Sequence, residues 1–492
     1  MSNYFNDPAN TFATSEQYEY STASFLGRVL YNYKGKYFLN ASLRDDASSQ
    51  IPTKNRHQKF WAVGAAWELT REEFMKSQDF FDYIKIKGSI GVLGNQTTPN
   101  LVTGQPNYYP FYPNLRTGVA AIFGPYTYNA ADEQYQVNPD LKWETVHAGE
   151  VGVELNAFQN RLHFEAVYFD KVTKDLMTYI NLGGLGLKDK LENAGSLKNW
   201  GEEFTASWNQ NLNKDLTLNV TGNITFLKNK VLSLSPDLPG GIISVGLANN
   251  GSAEARTMVG QPISSFYGYT VEGLYQTYAD ILASPVASSL GSYRPGDFKF
   301  KDINGPNGKG PDGTITADDR SVIGNPTPKF TYGGSVNLTY KGINLSVDVG
   351  GVYGNQVFRV WGSLESPFQR VNYAQYQVGA WNGPGTSNWV PIVSQADRFN
   401  YNGSTYNIED GSYVRIRNLQ LGYTFPKPMT SKWRISNLRV FANVQNLKTW
   451  KNNSGYTAEF GGVDGSNATA FGFDFAGGAI PMVTTFGLNV TF

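Results

Sequence analysis

Apolar and polar residues alternate along several segments of about ten residues, and this alternation limits the folds open to the chain. In residues 216–226, apolar side chains and one glycine occupy the even positions, while Thr and Asn occupy the odd positions. Because successive side chains of a β-strand point to opposite faces, such a strand has one apolar and one polar face. The same alternation is found in residues 162–168, 336–340, 438–444 and 486–492. We therefore predict an all-β protein built from amphipathic strands.

Hydropathy excludes a helical membrane protein and leaves a membrane β-barrel open. No apolar run reaches the roughly 18 residues of a spanning helix, whereas a membrane strand needs apolar residues on one face only. Aromatic residues make up 14% of the 492 residues, and 52 residues are Gly, a mixture that favours strands and tight turns. The absence of Cys excludes disulfides and thiolate zinc sites. Lys plus Arg and Asp plus Glu both number 41, so we predict no nucleic-acid binding.

Short and long connections alternate between the predicted strands, as in an outer-membrane barrel with tight periplasmic turns and long outer loops. The short or medium turns are at residues 34–36, 159–161, 213–215, 341–342 and 426–436, and the long stretches at residues 95–142, 231–262 and 353–410. The direction of the strands requires residues 262–330 to cross the membrane an even number of times or not at all. Residues 297–319 are too polar and Gly-rich to face lipid, so we predict an extracellular excursion. The chain then has about 13 spanning strands.

An Asp- and Gly-rich stretch in this excursion is the strongest candidate for a metal site. Positions 1, 3, 5 and 12 of an EF-hand-type calcium loop carry oxygen ligands, and position 6 is a turn glycine, here Gly313. An insertion of residues 306–311 separates positions 4 and 5. A surface turn rich in Asp, Asn and Gly needs no metal, so both alternatives stay open. The predicted Ca²⁺ ligands are Asp302, Asn304, Asp312 and Asp319, at positions 1, 3, 5 and 12 in that order, together with Thr314.

The predicted outer loops are rich in aromatic residues, which are the candidates for substrate or partner binding. Aromatic faces can stack on sugar rings or grip a partner, but long loops also need small cores of their own. With three His and no Cys, the chain has no convergent set of catalytic side chains, so we predict no enzyme and no required cofactor. The candidates are Tyr108, Tyr109, Trp361, Tyr373, Trp381 and Trp389.

Several motifs, in this order along the chain, resemble the C-terminal part of one protein family. They are residues 25–46 (FLGRVLYNYKGKYFLNASLRDD), 84–95 (IKIKGSIGVLGN), 138–145 (NPDLKWET), 411–425 (GSYVRIRNLQLGYTF) and the terminal FGLNVTF. Residues 295–324 correspond to a region in which the family has an uninterrupted DxNGDG run. In all of these the chain resembles SusC/RagA-type TonB-dependent transporters, over nearly its whole length.

The resemblance implies an outer-membrane barrel of about 22 strands from a Bacteroidetes-like bacterium. Such barrels import glycans or oligopeptides together with a SusD-like lipoprotein, and TonB supplies energy through an N-terminal plug domain. A plug and the early strands are not in this sequence, so residues 1–492 are expected to be the C-terminal part of the barrel. Residues 24–33 and 483–492 would then form two open edges, and the isolated chain should aggregate rather than give a heat-modifiable monomer.

Two other functions remain compatible with these residues. The first is a passive pore or a surface adhesion barrel that uses the same outer loops, which liposome swelling without energy input would favour. The second is a soluble β-rich carbohydrate-binding protein, which would be extracted in buffer without detergent.

Overall fold

The computed structural model describes residues 19–98, 107–113, 115–133, 135–180, 189–245, 254–361, 375–393, 399–460 and 470–492. The strands in these ranges are β1 Thr22–Tyr33, β2 Tyr37–Ser48, β3 His57–Glu68, β4 Phe81–Asn95, β5 Leu115–Phe123, β6 Tyr126–Glu133, β7 Glu144–Ala157, β8 Leu162–Ile180, β9 Lys190–Asn211, β10 Leu216–Leu234, β11 Ile242–Val245, β12 Glu254–Thr257, β13 Ser265–Gly268, β14 Val271–Leu274, β15 Phe298–Phe300, β16 Ser321–Gly324, β17 Phe330–Tyr340, β18 Ile343–Tyr353, β19 Gln356–Arg359, β20 Ile408–Asp410, β21 Tyr413–Thr424, β22 Asn437–Lys451, β23 Phe473–Asp474 and β24 Val483–Thr491.

The helices of the described ranges are short. The α-helices are α1 Tyr278–Leu282 and α2 Lys427–Thr430, and the 3-10 helices are Thr53–Asn55, Leu69–Arg71, Glu73–Met75, Ser288–Leu290, Pro306–Gly308, Ala317–Asp319, Gln375–Gly379, Phe399–Tyr401, Thr405–Asn407 and Ser431–Trp433. None of the described helices has the length and apolar character needed to cross a membrane.

One antiparallel sheet of 13 strands dominates the structure, in the order β1-β2-β3-β4-β7-β8-β9-β10-β17-β18-β21-β22-β24. The predicted all-β fold and its count of about 13 large strands are confirmed. Strands β8, β9 and β10 contain 19, 22 and 19 residues, about twice the predicted length. They are longer because their backbone pairing continues past the end of the apolar segment, where alternation no longer marks a strand.

The register of the sheet aligns the apolar residues on one face and the polar residues on the other. One row crosses six strands and contains apolar side chains only: Leu218, Leu338, Leu345, Leu421, Ala442 and Phe486. The neighbouring row, one residue away on each strand, is entirely polar: Asn219, Asn337, Ser346, Gln420, Asn443 and Thr485. One face is thus suited to lipid and the other to water.

The two ends of the sheet differ in their connections. The tight turns at residues 34–36, 158–161, 212–215 and 341–342 lie at one end, which we call the short-turn end. The β4–β7, β10–β17, β18–β21 and β22–β24 connections lie at the other, the long-loop end. Apart from Phe330, which begins β17, residues 262–330 contribute nothing to the large sheet, and β13 to β16 pair outside it.

Aromatic side chains border the apolar face at both ends. At the long-loop end of β10, β17 and β18, ring centroids are 5.5 Å apart between Phe226 and Phe330 and 5.0 Å apart between Phe330 and Tyr353. At the short-turn end, Tyr37 and Trp67 stack with 6.3 Å between ring centroids. The strand from residue 216 to residue 226, tilted as in membrane barrels, covers a height of ~25 Å, which matches the apolar band of such barrels.

A carboxylate fastens the short-turn end of β2 and β3. Glu72 accepts hydrogen bonds from Tyr37 Oη (2.6 Å), Lys36 Nζ (2.9 Å) and Trp67 Nε1 (3.1 Å). The hydrogen bond from Tyr37, followed by those from Lys36 and Trp67, lowers the pKa of Glu72 from 4.5 to about 2. The ionised carboxylate therefore connects the β1–β2 turn, β2 and β3 through Lys36, Tyr37 and Trp67.

We predict that Val220→Arg disrupts the protein and that Thr221→Arg is tolerated. Val220 lies on the apolar face near the middle of the band, while Thr221 lies on the polar face. An arginine facing lipid at mid-depth costs about 2–4 kcal/mol, whereas an arginine facing water costs little. Chemical unfolding of both variants in lipid bilayers measures the difference, and equal losses would contradict the assignment of the two faces.

We predict that Glu72→Gln lowers the melting temperature at pH 7 and that this deficit disappears in acid. The pKa of Glu72 is depressed in the folded state, so its contribution is present above pH 4.5 and is lost as the pH falls through about 2. Melting curves of both proteins in detergent between pH 7 and pH 2 measure the deficit.

Glu73→Gln is the matched control, because Glu73 is the neighbouring carboxylate and its ion pair in the described part of the chain is with Lys76 (2.7 Å). A Glu72→Gln deficit that stays constant down to pH 2 would be inconsistent with this role of the carboxylate.

Candidate functional site

The long connections fold into a layer of small sheets at the long-loop end. One sheet contains β11, β12, β13 and β16, another pairs β14 with β15, and a third has the order β20-β19-β23. The third sheet takes one strand from the β22–β24 connection and two from the β18–β21 connection. These stretches are polar and irregular in sequence, so their very short strands carry no readable alternation.

Two aromatic cores hold this layer together. The first includes the fully buried Tyr275, Phe298, Phe300 and Phe399, and Phe300 and Phe399 have ring centroids 5.4 Å apart. In the second, Phe266 lies 5.7 Å from Phe358 and 5.2 Å from Phe473, measured between ring centroids. Phe266, Phe358 and Phe473 come from three different connections, so the second core joins all three into one unit.

Four aromatic rings and one arginine form a continuous set in this layer, which we call the aromatic row: Tyr456, Trp361, Arg359, Tyr406 and Trp389. The rings of Tyr456 and Trp361 stack with centroids 6.3 Å apart and planes at 22°. The Arg359 guanidinium lies 5.9 Å from the Trp361 ring centroid and 5.2 Å from that of Tyr406. Trp389 follows, with its ring centroid 5.5 Å from that of Tyr406.

One buried and one partly buried carboxylate hold the aromatic row in place. The Trp361 indole N–H donates to Asp474 Oδ2 at 2.7 Å, and Asp474 is 1% exposed. Arg359 is also buried and forms an ion pair with Glu409, with 3.4 Å between Nε and Oε1. Because its supports are buried, the Trp361 ring has a fixed orientation. Tyr456 (68% exposed) and Trp389 (49% exposed) present the outer surfaces of the row to solvent.

Two groups near the row have shifted pKa values. Burial raises the pKa of Tyr406, although the nearby Arg359 opposes the shift, so the phenol stays neutral at physiological pH. Burial also acts to raise the pKa of Asp410, but hydrogen bonds from Ser412 and Asn452 outweigh it and lower the pKa. Near the row, Tyr406 is therefore neutral and Asp410 is negatively charged at physiological pH.

The predicted aromatic candidates have different environments. Trp361 and Trp389 belong to the aromatic row, whereas Trp381 packs against the first core and donates its indole N–H to Gln276 Oε1 at 3.1 Å. Tyr373 lies outside the described residues. Trp381 is therefore a core residue of the loops, and the half-buried Trp361 and the exposed Trp389 remain candidates for ligand contact.

Tyr108 and Tyr109 form a separate group in the β4–β7 connection. The Tyr108 ring stacks on Tyr20 with centroids 5.3 Å apart, and the Tyr109 hydroxyl donates to the carbonyl of Glu19 at 2.9 Å. Both tyrosines thus hold residues 19–20 against the β4–β7 connection. Tyr109 remains 42% exposed.

Sequence reasoning missed Arg359, Tyr406, Tyr456 and Asp474. The sequence signal that could have singled out Asp474 is its position between Phe473 and Phe475, since an aspartate inside an aromatic run needs a buried partner. Nothing in the sequence around Tyr456 or Arg359 distinguishes them from other loop residues.

The Asp-rich loop is closed by hydrogen bonds from its own backbone. Asp319, fully buried, accepts from the N–H groups of Ile303 (2.8 Å), Asn304 (3.0 Å) and Thr316 (2.7 Å). Asp302 accepts from the backbone N–H of Gly313 at 2.7 Å.

The remaining predicted ligands are bound within the loop in the same way. Asn304 Oδ1 accepts from Gly310 N–H (3.2 Å), and Asp312 Oδ1 accepts from Thr314 N–H (2.9 Å). In the described part of the chain, no three His, Cys, Asp or Glu side chains are grouped closely enough to hold a metal ion. The arrangement does not fit a preformed calcium site, and calcium binding stays a prediction.

We predict that Asp319→Ala opens this loop. Loss of the buried carboxylate leaves three N–H groups without their acceptor, at a cost of about 1–3 kcal/mol. Limited proteolysis within residues 303–318 should become faster, while Asp318→Ala, which removes a neighbouring exposed carboxylate, should have little effect. Equal cleavage rates in the two variants would contradict this role of Asp319.

The same assay with millimolar Ca²⁺ or a chelator tests the predicted ligands. Binding would protect the wild-type loop, and Asp302→Asn would remove that protection.

The comparisons with known proteins agree over most of the chain. Residues 1–447 match the family model for the TonB dependent receptor-like β-barrel. TonB-dependent receptor P3 of Formosa agariphila is 30% identical over 484 residues, covering 96% of this chain and 46% of that receptor. TonB-dependent receptor SusC of Bacteroides thetaiotaomicron is 25% identical over 447 residues, covering 88% of this chain and 41% of that receptor.

A solved structure of the RagAB peptide transporter has a similar fold. The TM-score is 0.74 with 21% sequence identity, covering 96% of this chain and 47% of that chain. The present chain spans about half the length of the curated relatives it matches.

Proposed function

The chain belongs to the family of TonB-dependent receptor-like β-barrels, which are outer-membrane proteins, and on this premise we propose that it forms part of an importer of glycans or oligopeptides. In this proposal the large sheet is part of the barrel wall, and the layer at the long-loop end faces the outside of the cell. The family is one of transporters and receptors, and the proposal assigns no catalytic step to the chain.

The observation that carries this proposal is the pair of parallel rows on the large sheet. The apolar row with Leu338 faces lipid, while the polar row with Asn337 and Gln420 lines a wet interior. Asn418 donates to Asp348 Oδ2 at 3.1 Å, and Arg439 donates to Gln420 Oε1 at 2.8 Å, so polar side chains on this wall also bond to one another. A polar wall of this kind is suited to hydrophilic cargo.

The aromatic row is our proposed cargo contact. Flat, exposed rings bind the faces of sugars and the side chains of peptides, and both kinds of ligand are too large for ordinary porins. Trp361 has the fixed orientation that a specific contact needs, because Asp474 and Arg359 hold it from within the layer. Tyr456 extends the same surface into solvent.

We further propose that TonB energises import and that a SusD-like lipoprotein covers the outer end. Support comes from the similarity to a receptor named SusC and from the fold shared with the RagAB peptide transporter. This chain covers about half the length of the receptors it matches, and we propose the two partners for a receptor of that full length.

Uptake by intact cells tests the proposal. Fluorescent oligosaccharides and oligopeptides above the porin size limit are supplied to cells with and without the gene, and to cells treated with an uncoupler. We expect gene-dependent, energy-dependent accumulation of one of the two cargo classes. Accumulation that persists without energy would identify a passive pore instead, and binding without accumulation would identify an adhesion barrel.

We predict that Trp361→Ala or Tyr456→Ala weakens cargo binding about two- to tenfold, the value of one aromatic contact. Equilibrium binding of the imported class to the purified native protein measures the change. Tyr278→Ala is the control, because Tyr278 is an exposed tyrosine (69%) of α1 outside the row. If both row variants bind the cargo as tightly as the wild type does, the aromatic row is not part of the cargo site.

A further inference from the structure

Three lysines lie together on one face of β9 and β10, just beyond the apolar segment of the sheet. Lys198 is directly opposite Lys230, and Lys228 is directly opposite Trp200, two residues nearer the short-turn end. Residues directly opposite in an antiparallel pair have Cβ atoms ~5 Å apart, so the three ammonium groups share one small surface. We call it the lysine patch.

The lysine patch is on the lipid-facing side of the sheet. The even positions of β10 from Leu216 to Phe226 form the apolar face, and Lys228 and Lys230 continue the same even series. The pairing of β9 with β10 has no register shift before Val231, so the side-chain direction does not change along this series. Below the patch, the Phe226 and Phe330 rings mark the outer edge of the apolar band.

The charges of the lysine patch are only partly balanced. Lys198 Nζ lies 2.6 Å from Asp170 Oδ2 and 5.5 Å from the centroid of the Trp200 ring. Lys228 and Lys230 are exposed, and neither has an ion-pair partner among the described residues. A second carboxylate on this face, Glu202, is opposite Phe226 and closer to the apolar band. Three cations therefore stand against two carboxylates.

Two lysines in direct opposition repel each other unless an anion lies between them. The patch is located where the apolar band ends, beside an indole ring, which is the depth of lipid headgroups. The outer leaflet of an outer membrane consists of glycolipids whose headgroups carry phosphates, and lysines next to such a surface gain attraction from it. The charge, the depth and the neighbouring Trp200 all fit this one ligand.

We propose that Lys198, Lys228 and Lys230 form a binding site for the phosphate groups of outer-leaflet glycolipids. Lys228 and Lys230 bind the phosphates directly, and Lys198, held by Asp170, contacts the edge of the headgroup above Trp200. The proposal rests on the outer-membrane location and on the outward orientation of the long-loop end proposed above, and not on import. The patch and the aromatic row belong to different elements, so lipid binding and cargo binding can fail independently.

Binding of lipid A to the native protein extracted from outer membranes tests this site. Fluorescent lipid A is titrated in detergent, with dephosphorylated lipid A and inorganic phosphate as separate competitors. We expect Lys228→Gln/Lys230→Gln to weaken lipid A binding about 25-fold, at roughly fivefold for each lysine. Lys228→Arg/Lys230→Arg keeps both charges and should bind as the wild type does.

Lys427→Gln/Lys432→Gln is the matched control, because it removes two exposed lysines from the β21–β22 turn at the short-turn end.

If the patch variant assembles poorly, Lys230→Gln alone should show the fivefold loss. Unchanged binding in the patch variants, or equal loss in the control, overturns the proposal. Equally tight binding of dephosphorylated lipid A overturns the phosphate contact, and competition by inorganic phosphate as effective as that of lipid A identifies a free-anion site instead.

Discussion

Hydrogen bonding between neighbouring strands is the constraint on which the rest of this structure depends. A backbone N–H or C=O group inside a bilayer has no water to bind, so a strand can cross only when it is paired. In the antiparallel sheet of 13 strands, the 11 inner strands are paired on both sides, while β1 and β24 are each paired on one side. The same register keeps Leu218 beside Leu338 and Asn219 beside Asn337, and a slip of one residue would turn the asparagines toward lipid.

Beyond the apolar band this constraint is relaxed, and a different interaction organises the chain. The long connections are surrounded by water, which satisfies much of their backbone, so their shape depends on burying aromatic rings. Phe266, Phe358 and Phe473 bring three connections together in one core. Trp361 lies two residues after the end of β19, and Asp474 ends β23, so the second core also fixes the hydrogen bond between them.

The strand alternation serves two surfaces at once. We propose that the polar face lines the water-filled path of the cargo, whereas the opposite face, with its aromatic border, is suited to lipid. Strands β9 and β10 continue past this border, which is why Lys198 and Lys230 stand above the band on the same side as Phe226. A single rule of side-chain direction thus explains both the inner wall and the lysine patch.

The amino-acid sequence alone was enough to predict the all-β fold, the approximate number of large strands and the face on which each alternating residue lies, because side-chain direction is a local property of an extended chain. It also identified Trp361 and Trp389 as loop aromatics. The packing of the long connections, in contrast, places these two residues with Arg359, Tyr406 and Tyr456 in one row, while Trp381 enters a core. It likewise decided that the Asp319 carboxylate binds three backbone N–H groups. Such contacts join residues far apart in the chain, and they depend on how the connections pack rather than on any spacing within them.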